Sequence, residues 1–474
     1  MGSGQVTDWQ GKNVTVAGLG VSGIPAAKVL HGLGAKVTVV NDGDDARARE
    51  QAAELQALGV TVRLGDGATL PEGTELIVTA PGWKPDKPLF AAARDAGVPV
   101  WGDVELAWRL RGPDAAPWLA VTGTNGKTTT VQMLASILKA AGLRTAAVGN
   151  IGVSLLDVVL GEEQYDVLAV ELSSYQLHWA PSLRAHSAAV LNLAPDHLDW
   201  HGSMEAYAAD KGRIYEGNRV ACVYNAADKA TEDLVREADV EEGCRAVGFT
   251  LGTPGPSQLG VVEGILVDRA FVENRQKNAQ ELAEVSDVNP PAPHNIANAL
   301  AAAALARAFG VPAKAVRDGL RAFTPDAHRI AHVADVDGVS YVDDSKATNT
   351  HAAEASLAAY ESIVWIAGGL AKGANFDELV AGSAKRLRGV VLIGADRALI
   401  REALARHAPE VPVVDLDRTD TGAMLQAVQE AKRLAVAGDT VLLAPACASM
   451  DMFTNYNKRG DAFAEAVREL GAGT

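Results

Sequence analysis

Nine residues, Thr122-Gly123-Thr124-Asn125-Gly126-Lys127-Thr128-Thr129-Thr130, combine two glycines, a lysine and a row of hydroxyls. Between a strand and a helix N-terminus such a run cradles phosphate, because backbone N–H groups converge on the anion and the helix dipole favours negative charge. Lys127 adds a mobile cation for terminal phosphates, and the Thr128 hydroxyl can reach Mg2+. The flanks fit this reading. Trp118 to Val121 is a short apolar run, and Val131, Leu134, Ile137, Leu138 and Ala141 recur at helical spacing until Gly142. The full phosphate-loop pattern asks for glycine where this chain has Val121. Binding of ATP or a related nucleotide is expected.

Two more residues at strand ends extend that chemistry. Glu171 follows the apolar run Val167 to Val170, and a carboxylate beside a phosphate loop can hold a Mg2+ that bridges phosphates. His197, in Asn192-Leu193-Ala194-Pro195-Asp196-His197-Leu198-Asp199, can ligate a second divalent ion through a neutral imidazole. Either residue alone fits a helix cap or a polar loop equally well; the phosphate loop decides for metal. Lys211 reads from its spacing as a surface lysine of an amphipathic helix. Gly18-x-Gly20-x-x-Gly23 with Asp42 fits the dinucleotide fingerprint and leaves an oxidoreductase, or a turn without ligand, as alternatives. A dehydrogenase has no need of a second phosphate loop, so another nucleotide-bearing ligand is expected there. A non-catalytic nucleotide-binding regulator would not need Lys127, Glu171 and His197 together.

These residues need elements to position them. Val14 to Ala17, Lys36 to Val40 and Leu76 to Thr79 read as strands, with a helix carrying Pro25 in its first turn and Gly32 and Gly34 near its end. Gly112-Pro113 and Pro117 mark a linker. Strands are expected at Val167 to Val170 and Ala188 to Asn192, a surface loop from Gly252 to Gly260, and an alanine-rich helix over Asn295 to Phe309. The pattern repeats after Pro325 with strands at Val339 to Val342, Ile363 to Ala367, Val390 to Ile393 and Thr440 to Ala444. The economical reading is three α/β domains in series, at 1–112, 113–325 and 326–474. Gly20, Gly126, Glu171, His197, Asp344 and Ser449 all follow carboxyl ends of expected strands, the edge where open parallel sheets bind ligands.

The 474 residues are 48% hydrophobic and 5% aromatic, as in soluble α/β proteins, and no apolar run approaches the roughly 20 residues of a membrane span. The start lacks a basic stretch before an apolar core, and Val6 stands where a myristoylation signal wants Ser or Thr. Cys222, Cys244 and Cys447 are too few and scattered for a disulfide framework or zinc site, so a cytoplasmic protein is expected. A net charge of −16 repels nucleic acid and anionic lipid, and leaves anionic substrates to local cations and metal.

Taken in order, Thr122 to Thr130, Glu171-Leu172-Ser173-Ser174, Asp196 to Asp199, His294-Asn295-Ile296-Ala297-Asn298, Asp344-Ser345-Lys346-Ala347-Thr348-Asn349 and Ala444 to Asp451 resemble the motifs of the Mur ligases. The resemblance runs from about Val14 to Leu470. Its last two motifs resemble those of the branch that adds D-glutamate to UDP-N-acetylmuramoyl-L-alanine; folylpolyglutamate synthase, or a Mur ligase adding another amino acid, is the nearest alternative.

The resemblance implies a Rossmann-like N-terminal domain for the UDP-sugar, a central ATPase-type mononucleotide-binding domain and a Rossmann-like C-terminal domain for the amino acid. It implies an ATP-dependent ligase using an acyl phosphate, with Lys127, Glu171, His197 and Lys211 catalytic. Gly20, Val21, Ser22, Gly23, Asp42, Ala80, Pro81, Gly82, Asn150 and His197 would hold the UDP-sugar. Thr124, Asn125, Gly126, Lys127, Thr128, Thr129 and Thr130, with Asn295, Asn298, Arg329 and Asp344, would hold ATP. Two Mg2+ ions would sit on Thr128, Glu171, His197 and a carbamylated Lys211. Thr348, Lys372, Ser449, Met450 and Tyr456 would surround D-glutamate. A monomer acting on these three small molecules, without nucleic acid or membrane insertion, is expected.

Overall fold

A computed structural model describes residues 8–325 and 327–472; the reading of the first six residues lies outside that range. The chain forms two compact units, one running to Val288 and including Ile296–Phe323, the other comprising Asn289–Asn295 and the chain from Thr324.

The first unit contains two sheets. In the N-terminal one, five parallel strands lie in the order Thr61–Leu64, Lys36–Asn41, Asn13–Ala17, Leu76–Thr79, Val100–Gly102, the arrangement of a Rossmann-like half. The second sheet has nine strands. Ala147–Gly149, Leu168–Glu171, Trp118–Thr122, Ser187–Val190, Ala221–Asn225, Arg245–Phe249 and Gln258–Val262 run parallel, and Ile265–Asp268 and Gln280–Glu284 add an antiparallel edge. Gly260 therefore belongs to a strand, and the expected surface loop stops short of it.

Both faces of the nine-stranded sheet are covered, which is why Trp118 to Val121 is apolar without alternation. The side-chain period of two still sorts them: Leu119 and Val121 enter one core with Leu134 and Ile137, while Trp118 and Ala120 enter another with Val14, Val16 and Leu106. That second core is shared with the N-terminal sheet. Across the same junction Gly102 N–H donates to the Trp179 carbonyl at 2.8 Å, and Trp200 Nε1 donates to the Gly82 carbonyl at 3.1 Å.

The second unit is built on six strands, in the order Ala331–Val336, Val339–Asp343, Thr440–Leu443, Ile363–Gly368, Leu387–Ile393, Val413–Asp415, all parallel except the first pair. Trp365 and Ala367 face one core and Val364 and Ile366 the other. No helix among the described residues is long and apolar enough to cross a membrane.

Candidate active site

The strand Trp118–Thr122 leads directly into Gly123, and the helix Lys127–Ala140 begins directly after Gly126. Both glycines are required by geometry. Gly123 has φ +154° and Gly126 φ +83°, and a Cβ on Gly126 would stand 2.4 Å from Asn298 Oδ1. Val121 lies in the sheet core before the turn starts. Lys127 Nζ folds back over the loop, donating to the carbonyls of Gly123 at 3.0 Å and Thr124 at 2.9 Å.

Not every threonine side chain of the motif is exposed. The buried Thr124 hydroxyl is 3.0 Å from Tyr207 OH and 3.1 Å from the Ala194 carbonyl, so it ties the loop to its neighbours. Thr129 and Thr130 are buried too, whereas Thr128 is half-buried. Asn125 is clamped by Asn192, whose Oδ1 accepts from Asn125 N–H at 2.9 Å and whose Nδ2 donates to its carbonyl at 3.1 Å. Sequence reasoning passed over Asn192 because an Asn in a loop carries no distinguishing signal.

Glu171 closes its strand and is 2% exposed. Asn150 Nδ2 donates to its Oε1 at 2.9 Å, while Oε2 is buried with no hydrogen-bond partner among the described residues. An orphaned buried carboxylate oxygen is costly, and a divalent cation is a natural partner for it. No group of three or more His, Cys, Asp or Glu side chains among the described residues is itself arranged for a metal ion. His197 sits on the αL residue that opens the short helix Leu198–His201, 3.4 Å from an Asp196 oxygen and 4.9 Å from the Tyr175 ring.

Lys211 corrects the expectation of a surface lysine. It is 2% exposed, and its Nζ donates to the Gly123 carbonyl at 2.8 Å beneath the phosphate loop. Burial, and secondly the Lys127 ammonium, hold its amine well below the usual lysine range; Asp196, Glu171 and Asp210 pull the other way. The helix Met204–Gly212 carries Lys211 inward because Tyr207 and Asp210 on the same helix are also buried.

In the N-terminal sheet, Gly18 and Gly23 make the tight turn: a Cβ on Gly23 would lie 1.9 Å from the Gly18 carbonyl. Gly20 and Val21 form the exposed tip, Val21 being 91% exposed, and Ser22 Oγ donates to Asp103 Oδ2 at 2.9 Å. Asp42 pairs with Lys87 at 2.5 Å, and Ala80 N–H donates to the Ala17 carbonyl at 2.9 Å. Pro81 and Gly82 follow, and Lys84 Nζ reaches the Asp199 carbonyl at 2.6 Å, so this loop meets the segment bearing His197.

In the second unit, Asp344 is buried, accepting from Ser356 Oγ and from Ile330 N–H, and burial pushes its carboxyl up to about 6. Arg329 lies nearby, half-buried, and opposes that rise. Asn295 Nδ2 donates to the Asn289 and Pro290 carbonyls, a structural task not foreseen. The loops bearing Thr348, Lys372 and Ser449 are laced together. Ala446 N–H donates to the Ala347 carbonyl at 2.9 Å, and Leu370 and Ala448 exchange backbone bonds at 2.9 and 3.0 Å. Arg459, 1% exposed, pins two of them, donating to the carbonyls of Ser345 at 2.8 Å and Cys447 at 3.0 Å. Ser449 is buried, Met450 is 65% exposed, and the Tyr456 ring lies under Lys346 Nζ at 4.0 Å. Arg459 was missed because a charged residue on an amphipathic helix looks solvated.

Residues 121–306 match the Mur ligase middle domain, and residues 328–447 match the Mur ligase glutamate ligase domain. Residues 13–78 match a pyridine nucleotide-disulphide oxidoreductase model, which shares the strand and glycine-turn pattern of the N-terminal sheet. The MurF ligase from Thermotoga maritima, solved in complex with ADP, superposes with a TM-score of 0.56 at 16% identity, covering 98% of this chain and 96% of that one. The fold is thus that of a Mur ligase. The UDP-N-acetylmuramoylalanine–D-glutamate ligases of Streptomyces avermitilis and Streptomyces coelicolor are 91% and 90% identical, over 98% of this chain and 100% of each relative. The chain belongs to the UDP-N-acetylmuramoylalanine–D-glutamate ligase family, and the oxidoreductase alternative falls.

Proposed function

We propose that the chain forms its amide bond through an acyl phosphate, assembled over the phosphate loop and Glu171. It is an ATP-dependent ligase that adds D-glutamate to UDP-N-acetylmuramoyl-L-alanine in peptidoglycan precursor synthesis. A carboxylate is a poor acyl donor until it carries a leaving group. The γ-phosphoryl of ATP moves to the L-alanyl carboxylate, and ADP departs. The D-glutamate amine then attacks the acyl carbon, the C–N bond forms, the amine gives up a proton and inorganic phosphate leaves. The single observation that carries this reading is the cradle of Gly123, Gly126 and Lys127 with the buried, unpartnered Glu171 Oε2 beside the same sheet edge.

Residues 1–112 are assigned to the UDP-sugar, 113–325 to ATP and 326–474 to D-glutamate. Phosphate-loop N–H groups and Lys127 hold the β- and γ-phosphates, and Asn295, Asn298, Arg329 and Asp344 are assigned to ATP as well. Two Mg2+ ions would be held by Thr128, Glu171, His197 and the carbamate of Lys211, and would neutralise charge on the transferring phosphoryl group. The carbamate forms when the neutral Lys211 amine adds to CO2 and releases a proton. Lys372 pairs with a glutamate carboxylate, while Thr348 and Ser449 donate hydrogen bonds. A cytoplasmic location and a monomeric state complete the proposal.

ADP release measured with each substrate omitted in turn tests it. Release should require both UDP-N-acetylmuramoyl-L-alanine and D-glutamate. Turnover with a folate, or preference for L-lysine over D-glutamate, would overturn it.

A further inference from the structure

Three chain segments carry the metal-side residues, and each is tied to one buried carboxylate that the chemistry above does not use. Asp210 precedes Lys211, and its side chain is 8% exposed. Its oxygens accept from His178 Nδ1 at 2.9 Å and from His201 Nδ1 at 3.0 Å, and Arg213 Nε stands in an ion pair with it at 3.2 Å. His201 lies on the short helix opened by His197, and its N–H donates to the His197 carbonyl at 3.1 Å. The His201 side chain is fully buried. With Nδ1 donating to Asp210, Nε2 of the neutral ring is left to accept from Ser174 Oγ, which stands 2.9 Å away. Ser174 opens the helix Ser174–His178 directly after Glu171-Leu172-Ser173, and His178 ends it. The rings add a stack: Tyr175 lies parallel to His201 at 5.5 Å and contacts His197 at 4.9 Å.

We infer that Asp210, through His201 and His178, is the positioning residue that holds Glu171, His197 and Lys211 in register for a divalent cation. This rests on the reading that those three residues serve the metal. The physical reason is precision. A divalent ion tolerates ligand errors of only about 0.2 Å, and short loops do not hold that tolerance unless a rigid partner fixes them. A carboxylate held by two ring N–H groups and a guanidinium supplies such a partner at the meeting point of three helices. Arg213 extends the clamp, donating through Nη1 to the His178 carbonyl at 3.0 Å.

The test is Mn2+ binding followed by electron paramagnetic resonance on the full chain, with a non-hydrolysable ATP analogue, UDP-N-acetylmuramoyl-L-alanine and bicarbonate present. Asp210→Asn should weaken Mn2+ binding by about 10–100-fold, the usual cost of removing a group behind a metal ligand. Its KM for D-glutamate should stay within about twofold, a split that general loosening would not produce, and Asp210→Glu should recover part of the loss. If Asp210→Asn fails to fold, as judged by its melting transition, His178→Asn at the more exposed end of the network carries the same expectation. Glu171→Gln separates the two levels of the argument. Mn2+ binding that survives Glu171→Gln overturns the metal reading and this inference with it. Binding that is lost in Glu171→Gln but unchanged in folded Asp210→Asn and His178→Asn overturns the inference alone.

Discussion

The ammonium groups of Lys127 and Lys211 point at one oxygen: both donate to the carbonyl of Gly123, at 3.0 and 2.8 Å. Burial first, and the neighbouring Lys127 ammonium second, disfavour the charged form of Lys211. Lys211 is therefore disposed to be neutral, which is the form that captures CO2. The neutral fraction rises with pH until it passes the depressed value, so dependence of activity on added bicarbonate should be strongest at low pH and fade as pH rises. A carbon-13 carbamate signal from labelled bicarbonate, absent in Lys211→Ala, checks this. Lys211→Ala should lose most activity, and short carboxylic acids should restore part of it. Equal bicarbonate dependence at every pH would count against the argument.

Lys127→Ala should abolish phosphoryl transfer and leave the fold intact, because Lys127 lies over the loop and not in a core. A positioned cation on a transferring phosphate contributes several kcal/mol of transition-state stabilisation, so kcat should fall by about a thousandfold or more. Single-turnover transfer from labelled ATP is the measurement; near-normal turnover would remove the phosphate-loop argument.

Gly126→Ala tests the cradle itself. The left-handed backbone and the approach to Asn298 Oδ1 should together destabilise the protein by about 1–3 kcal/mol and raise the KM for ATP. Adding Asn298→Ala relieves the contact but not the backbone strain, so urea melts of the double variant should recover only part of the loss. A single variant as stable as the parent would contradict the left-handed loop.

Amino-acid choice should lie at Lys372, Thr348 and Ser449. Leaving a bound carboxylate unpaired costs on the order of 2–5 kcal/mol, so Lys372→Ala should raise the KM for D-glutamate far more than that for ATP or the UDP-sugar. Ser449→Ala should do so more mildly, by about 1.5–3 kcal/mol. Initial-rate kinetics decide, and an unchanged D-glutamate KM in Lys372→Ala would refute the assignment.

Asp344 sets a pH signature in stability. Burial raises its carboxyl to about 6 from an ordinary value of 3.8. Between those values the native state holds more protons than the unfolded chain, so stability falls as pH rises through the window, and the cost is complete above about pH 6. The cost is at most about 3 kcal/mol. Asp344→Asn should remove it, so the variant's melting temperature should gain on the parent's from pH 4 to 6 and then level. Parallel curves would show that the carboxyl titrates normally.

Much of this protein was legible in its residues. Trp118 to Val121, Leu76 to Thr79 and Ile363 to Ala367 are continuous apolar runs bounded by glycine or proline, and local pattern suffices for strands buried on both faces. Gly123, Gly126 and Gly23 were legible because a missing side chain marks a place where the backbone turns left-handed or another group approaches. What tertiary structure decided was burial and partnership between residues distant in sequence. Lys211 looks solvated on its helix, and only the packing of that helix under Gly123 makes it a buried amine. Cys222 and Cys244 seem scattered, yet neighbouring parallel strands bring their sulfurs to 3.9 Å. Thr124 belongs to the motif, but its hydroxyl is taken by Tyr207. Asp210, His178 and His201 meet only because three separate helices converge there. Periodicity encodes which face a residue takes within its own element; which other element it meets there is a property of the crossover connections, and no local pattern carries it.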